Sequence, residues 1–208
     1  MISILAILSF LLGSLPFGLW VSQVFKGIDP RLHGSKNTGA TNVGRVIGWR
    51  YGFIVLVLDA LKGVASCLLS QFVQPSEWST YLPLSFGVIS ILGHMYSPFL
   101  NWNGGKGVAT ALGVFLYLTP IPMLICILVF LIAYKLSGFV SVGSILGSIS
   151  LPISYFLIYK YQLFPELHIH YQPFLFYATL AIAFLITFRH RDNIIRLVLG
   201  VEYPPIKK

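Results

Sequence analysis

The chain has 208 residues, 56% of them hydrophobic and only 10% charged, with a mean hydropathy of +0.82. Soluble domains carry about 25% charged residues, so a soluble globule is excluded, as are a disordered chain and, with two cysteines, a disulfide scaffold. An integral membrane protein is the class that remains, and its few charges are lopsided: 14 Lys and Arg against 6 Asp and Glu, a net +8.

Apolar stretches run over 2–25, 51–73, 81–100, 108–134, 138–158 and 173–188. A membrane-crossing helix needs roughly 20 such residues. The first stretch lacks a basic leader and runs past the length of a signal-peptide core, so it reads as a retained helix. Gly13-Ser14-Leu15-Pro16-Phe17-Gly18 breaks it and lets another backbone come close. The following segment 26–50 holds Lys26, Arg31, Lys36, Arg45 and Arg50. Within 51–73, Asp59 and Lys62 stand three residues apart inside a span, where ionisable groups pair. His94 and Ser97 lie near the end of the third stretch.

Stretch 108–134 has Thr119-Pro120-Ile121-Pro122 in its middle. The prolines either kink one long helix or divide two short ones. Charge decides between these. The tail 189–208 holds Arg189, Arg191, Arg196, Lys207 and Lys208. Basic segments stay on the cytoplasmic side, so an even number of spans must separate loop 26–50 from the tail. Splitting at Pro120 meets that condition; an unbroken helix does not. The expectation is an all-α protein with seven transmembrane helices, N-terminus outside and C-terminus cytoplasmic, forming a single domain over 1–208. Twelve of the 14 basic residues then fall inside.

Three of the cytoplasmic segments carry more than topology requires. Gly34-Ser35-Lys36-Asn37-Thr38-Gly39-Ala40-Thr41-Asn42 packs small and amide residues ahead of Arg45. Such a loop presents successive N–H groups to an anion, and Thr41 or Asn42 would cap a short helix behind it. It also reads as a flexible capped loop. In Gly104-Gly105-Lys106-Gly107 a lysine sits among three glycines at a helix start. It departs from a Walker A loop, since Leu100 and Gly107 stand where that pattern needs Gly and Ser or Thr. His190, Asn193 and Arg196 would share one helical face, either as phosphate ligands or as a basic helix against anionic lipid. Ser137, Ser141 and Ser144 form a fourth set, at helical spacing near the inner end of span six, where small polar residues commonly serve packing.

These residues carry a resemblance. Gly13–Gly18, Asp29–Asn42, Leu58–Gly63, Gly93-His94, Gly104–Thr110, His190–Ile194 and Gly200–Glu202 occur in an order that resembles the bacterial acyl-phosphate:glycerol-3-phosphate acyltransferases, the PlsY family. The motifs cover nearly the whole chain. One departure is Lys36-Asn37-Thr38, where the family pattern has Gly-Asn-Ile or similar; a lysine there is expected to alter the loop backbone. The resemblance implies transfer of an acyl group from acyl phosphate to the 1-hydroxyl of glycerol 3-phosphate, the first acylation of phospholipid synthesis, at the cytoplasmic face of the bacterial inner membrane.

The resemblance also implies site residues. Ser35, Asn37, Gly39, Thr41 and Asn42 would bind the acyl phosphate. Arg45, Lys106, Ser141, Ser144, His190 and Asn193 would bind glycerol 3-phosphate, and Gly104, Gly105, Gly107, His94, Asp59 and Lys62 would support them. The apolar walls near Gly13–Gly18 and span three would take the acyl chain. Other partners expected are membrane lipid and, transiently, the soluble enzyme that makes acyl phosphate, with no nucleic acid.

No cofactor or metal is expected. His168-x-His170 has no third ligand nearby, and Cys67 and Cys126 read as packing. The His-x4-Asp acyltransferase pattern is missing too: five residues after each histidine stand Thr38, Phe99, Pro173, Leu175 and Ile195. An acyl phosphate is already activated, so positioning and charge stabilisation suffice, with the leaving phosphate taking the hydroxyl proton. A phosphate transporter would explain the basic loops too, but the outer side is nearly devoid of charge. A non-enzymatic scaffold leaves three Gly-, Asn- and Lys-rich loops unexplained.

Overall fold

The computed structural model describes residues 1–74, 77–164 and 171–203, and these contain helices and turns but no strand. They divide into two compact units, one within Met1–Leu118 and the other within Thr119–Pro204. His168, His170, Lys207 and Lys208 lie outside the described residues.

The first unit holds six helices: α1 (Ile2–Ser14), α2 (Phe17–Lys26), α3 (Ala40–Ile47), α4 (Trp49–Leu68), α5 (Leu82–Met95) and α6 (Val108–Leu118). The break in the first apolar stretch falls at Leu15-Pro16, where the chain bends by 40°. Proline has no N–H, so a helix interrupted there leaves carbonyls without intrahelical donors. Two residues from elsewhere supply them. Ser97 Oγ donates to Ser14 O (2.6 Å), and Lys62 Nζ donates to Leu15 O (3.1 Å).

α1 packs on α5, and α4 packs on both α3 and α6. Small residues set these distances, as is usual between helices in an apolar solvent. A Cβ on Gly13 would strike the backbone of Ser90, and one on Gly93 the carbonyl of Phe10. Gly63 and Gly113 do the same against Thr110 O and Ala60 O at the α4–α6 contact. The third apolar stretch is shorter as a helix than 81–100: α5 ends at Met95, because Pro98 cannot continue the α-helical hydrogen bonding and opens a tight turn over Pro98–Leu100.

The second unit holds α7 (Pro120–Ser137), α8 (Val140–Lys160), α9 (Pro173–Arg189) and α10 (Arg191–Val198). The division at Pro120 is seen: α6 stops at Leu118 and α7 starts at Pro120, where a first-turn proline loses no hydrogen bond. α7 packs on α8 and α8 on α9. Ser137 closes α7, and Gly138 turns the chain at φ +77, so Ser137 does not share a helix face with Ser141 and Ser144. Its hydroxyl instead donates to Ala133 O and accepts from Phe139 N–H.

Among the described residues, three helical segments are long and apolar enough to cross a membrane: α4 with its following turn (Trp49–Phe72), α7 and α8. Two bent pairs meet the same requirement when each is taken as one span, α1 with α2 and α9 with α10. α5 and α6 have 14 and 11 residues, about 21 and 17 Å at 1.5 Å per residue. The seven-span expectation counts both as crossings.

Candidate functional site

The Gly34–Arg45 segment is organised around one side chain. Asn42 is buried in the first turn of α3. Its Nδ2 donates to Pro30 O (2.9 Å), His33 O (3.1 Å) and Asn37 O (2.8 Å), and its Oδ1 accepts from Ser35 N–H (2.8 Å). The amide thus holds the loop from inside. Asn37 makes a smaller version of this bond, its Oδ1 accepting from Gly39 N–H (2.8 Å). The cap of α3 is Gly39, with no side-chain bond; Thr41 and Asn42 lie inside the first turn rather than capping it. Ser35, Gly39, Thr41 and Arg45 are each part-exposed along this segment.

Lys36, expected to alter the loop backbone, leaves the turn in place. Lys36 sits at φ +57, the left-handed region glycine enters freely, and its N–H closes the turn on His33 O (3.0 Å). The position keeps a glycine-like backbone at the strain cost an L-residue bears there, about 1 kcal/mol. Upstream, Asp29 accepts from Arg31 N–H (2.9 Å), and Arg31 Nη2 reaches its second oxygen at 2.7 Å. The Arg31 side-chain hydrogen bonds hold the Asp29 carboxyl below its ordinary value.

The Gly104–Gly107 loop is held by its backbone. Gly104 N–H donates to Met95 O (3.1 Å) and Gly105 N–H to His94 O (3.0 Å). Gly107 turns into α6 at φ +81, and its carbonyl accepts from Ala111 N–H (2.8 Å). Lys106 therefore stands just ahead of a helix N-terminus, where the dipole favours an anion.

Beneath this loop lies a buried ionic cluster. Lys62 Nζ is 2.7 Å from Asp59 Oδ1 and 2.9 Å from His94 Nδ1. His94 Nδ1 is 3.6 Å from the same Asp59 oxygen. The Asp59–Lys62 pairing is as the i, i+3 spacing implies; the histidine is an addition that spacing does not reveal. One narrow cleft is lined by the Ser14–Gly18 break, Thr38, Asp59, His94, Leu100 and Gly105. Both glycine-rich loops thus reach one cleft in the first unit. Gly18 admits this approach, since a Cβ there would collide with Thr38 O.

In the second unit, Ser141, Ser144, His190 and Asn193 are all buried. Glu202, with a side chain only 1% exposed, gathers two of them. It accepts from Asn193 Nδ2 (2.7 Å), Ser141 Oγ (3.4 Å) and Arg196 Nε (2.9 Å). Asn193 and Arg196 do share one face of α10, and Glu202 is what that face meets. The sequence places Glu202 in a motif without giving it this role; the signal was that it is one of two acids in the tail. His190 forms the junction of α9 and α10, and its Nδ1 lies 2.8 Å from Ile186 O. A carbonyl accepts only, so the ring proton of the neutral form is on Nδ1.

Comparison with known proteins shows the family of the chain. The family model described as glycerol-3-phosphate acyltransferase matches residues 3–200. A glycerol-3-phosphate acyltransferase of Leptospira borgpetersenii is 47% identical over 99% of this chain and 92% of its own length. One from Desulfotalea psychrophila is 43% identical over 96% and 95%. Among solved structures, the chain is similar to the crystal structure of PlsY (YgiH), an integral membrane glycerol 3-phosphate acyltransferase, in its glycerol 3-phosphate form. The TM-score is 0.83 at 37% identity, covering 98% of this chain and 94% of that one. The lysophosphatidic acid form of that protein gives 0.81 at 36% identity.

Proposed function

This chain belongs to the glycerol-3-phosphate acyltransferase family, and from that premise we propose that it transfers an acyl group from acyl phosphate to the 1-hydroxyl of glycerol 3-phosphate. The products are 1-acyl-glycerol 3-phosphate and inorganic phosphate. The observation that carries the reading is that two anion-suited loops each reach one cleft, the Gly34–Arg45 loop through Thr38 and the Gly104–Gly107 loop through Gly105. The relatives' names specify the acceptor. The donor is what the resemblance to the acyl-phosphate-dependent family implies, and two anion-suited loops are compatible with it.

The proposed chemistry needs no side-chain base. The hydroxyl oxygen attacks the acyl carbonyl carbon, the new ester C–O bond forms, and the bond from that carbon to the phosphate oxygen breaks. The leaving phosphate takes the hydroxyl proton. The protein's contribution is position and positive charge. In this reading Ser35, Gly39 and Thr41 face the acyl phosphate, while Asn37 and Asn42 shape the loop that presents them. Arg45 and Lys106 hold the phosphate of glycerol 3-phosphate, a fork and a point charge respectively. The resemblance also implies Ser141, Ser144, His190 and Asn193 as acceptor residues; within the second unit Ser141 and Asn193 donate to Glu202.

The proposed setting is the bacterial cytoplasmic membrane. The chain crosses it seven times as one functional domain, with α5 and α6 as short spans, the N-terminus outside and both loops at the cytoplasmic face. Acyl phosphate arrives there from a soluble enzyme.

The test is direct. Purified protein is incubated with acyl phosphate and labelled glycerol 3-phosphate, and lysophosphatidic acid is expected. Product formed only from acyl-CoA or acyl-carrier protein would overturn the donor assignment. Arg45→Ala and Lys106→Ala should each lower turnover about 100-fold or more, the usual loss of a charge-stabilising donor, with folding intact. Near-normal turnover in purified Lys106→Ala would remove the phosphate-clamp role.

A further inference from the structure

The buried cluster of Asp59, Lys62 and His94 takes no part in the chemistry above. Charges inside an apolar protein need partners, and Asp59 and Lys62, with side chains 3% and 1% exposed, form an ion pair at 2.7 Å in which Asp59 Oδ1 has no well-aligned hydrogen bond. That pair alone does not require a histidine. We propose that Asp59, Lys62 and His94 form a positioning device that fixes the Gly104–Gly107 loop, and through it Lys106, for the phosphate of glycerol 3-phosphate. The inference rests on the reading of Lys106 as a phosphate ligand.

His94 holds the loop in two ways. Its carbonyl accepts from Gly105 N–H at 3.0 Å. Its ring lies against Gly105 so closely that a Cβ there would collide with Nε2. The ring's orientation is set from below. Lys62 Nζ carries protons and accepts nothing, so His94 Nδ1 accepts from it at 2.9 Å. A neutral ring then carries its own proton on Nε2, toward the loop. Lys62 also donates to Leu15 O at 3.1 Å, which ties the same ammonium to the helix break lining the cleft. One lysine thus sets both the floor of the cleft and the ring that supports its glycine wall.

Displacing the loop should weaken acceptor binding and leave the donor, held by the other loop, little affected. The experiment varies glycerol 3-phosphate and acyl phosphate separately in steady-state assays of the purified enzyme. His94→Ala should raise KM for glycerol 3-phosphate about tenfold or more and leave KM for acyl phosphate within about twofold. His94→Asn places Oδ1 where Nδ1 was and keeps an acceptor for Lys62, but it lacks the ring edge that lies against Gly105, so it should recover little of the loss. Gly105→Ala should give the same KM defect while His94 is present. In the double variant the alanine should add nothing, since the ring it strikes is gone.

Equal changes in both KM values, full rescue by His94→Asn, or additive effects in the double variant would each overturn the proposal. Should His94→Ala fail to accumulate in the membrane, Gly105→Ala and His94→Asn supply the same KM comparison. Lys106→Ala separates the two claims. If it raises KM for glycerol 3-phosphate while His94→Ala does not, the positioning device is wrong and the ligand reading stands. If it leaves both turnover and that KM near normal, the ligand reading falls and takes this inference with it.

Discussion

The two glycine-rich loops present similar residue types and are built in opposite ways. The Gly34–Gly39 loop hangs on one side chain: the Asn42 amide bonds Pro30, His33, Ser35 and Asn37. The Gly104–Gly107 loop hangs on its main chain, through Gly104 and Gly105 N–H groups bonded to Met95 and His94 carbonyls. The first depends on a keystone that a single substitution removes. The second depends on the absence of side chains, and is broken by adding an atom.

That contrast sets the order of expected effects. Asn42→Ala should be the most damaging, removing one donor from each of three carbonyls, of which Pro30 O and His33 O keep a backbone N–H, and the acceptor of Ser35 N–H, about 2–4 kcal/mol in all. Activity should fall about 100-fold as the loop loses its geometry, and hydrogen exchange over residues 30–37 should accelerate. Asn42→Gln should not restore it, because the longer side chain displaces the amide; full activity in Asn42→Gln would deny the keystone role. Gly104→Val comes next. Its added carbon meets His94 O and the Met95 backbone, an overpacking cost of about 1–3 kcal/mol, seen as a lower Tm in detergent with Gly34–Gly39 exchange unchanged. Faster exchange in both loops would show that they are one unit rather than two.

Smaller effects sharpen the picture. Lys36→Gly removes a left-handed lysine and should stabilise by about 1 kcal/mol at most, read as a small rise in Tm with activity retained; a fall would place the lysine side chain, rather than its backbone, in charge of the turn. The smallest effect is at Asp29. Its carboxyl is held below its ordinary value by the Arg31 hydrogen bonds, so its folded value lies below its unfolded one. The stabilisation is present above about pH 4 and is lost as pH falls through the folded value. Local exchange over residues 29–33 should rise in that acid window, and Asp29→Asn should abolish the dependence.

Much of the architecture was legible from local features. Pro120 marks the division of the fourth apolar stretch because a proline lacks the N–H that a continuous helix needs. Pro16 marks the bend in the first stretch for the same reason. Asp59 and Lys62 were readable as a pair from their spacing on one helix face. The site was less legible. Asn42 has the same residue type and setting as a ligand-facing amide, and only its four bonds show that the protein itself occupies it. Glu202 acquires meaning only beside Ser141, Asn193 and Arg196. Ser137 has the right spacing to join Ser141, but Gly138 ends the helix between them.

Sequence by itself therefore determined the class of molecule, the apolar segments, their breaks and the two anion-suited loops, because hydropathy, proline and glycine act within a few residues. Tertiary structure alone decided which polar groups serve the fold. The carbonyls exposed by a helix break must be satisfied by whatever donor packs there, and Ser97, 83 residues from Ser14, and Lys62, 47 residues from Leu15, are the donors that do so.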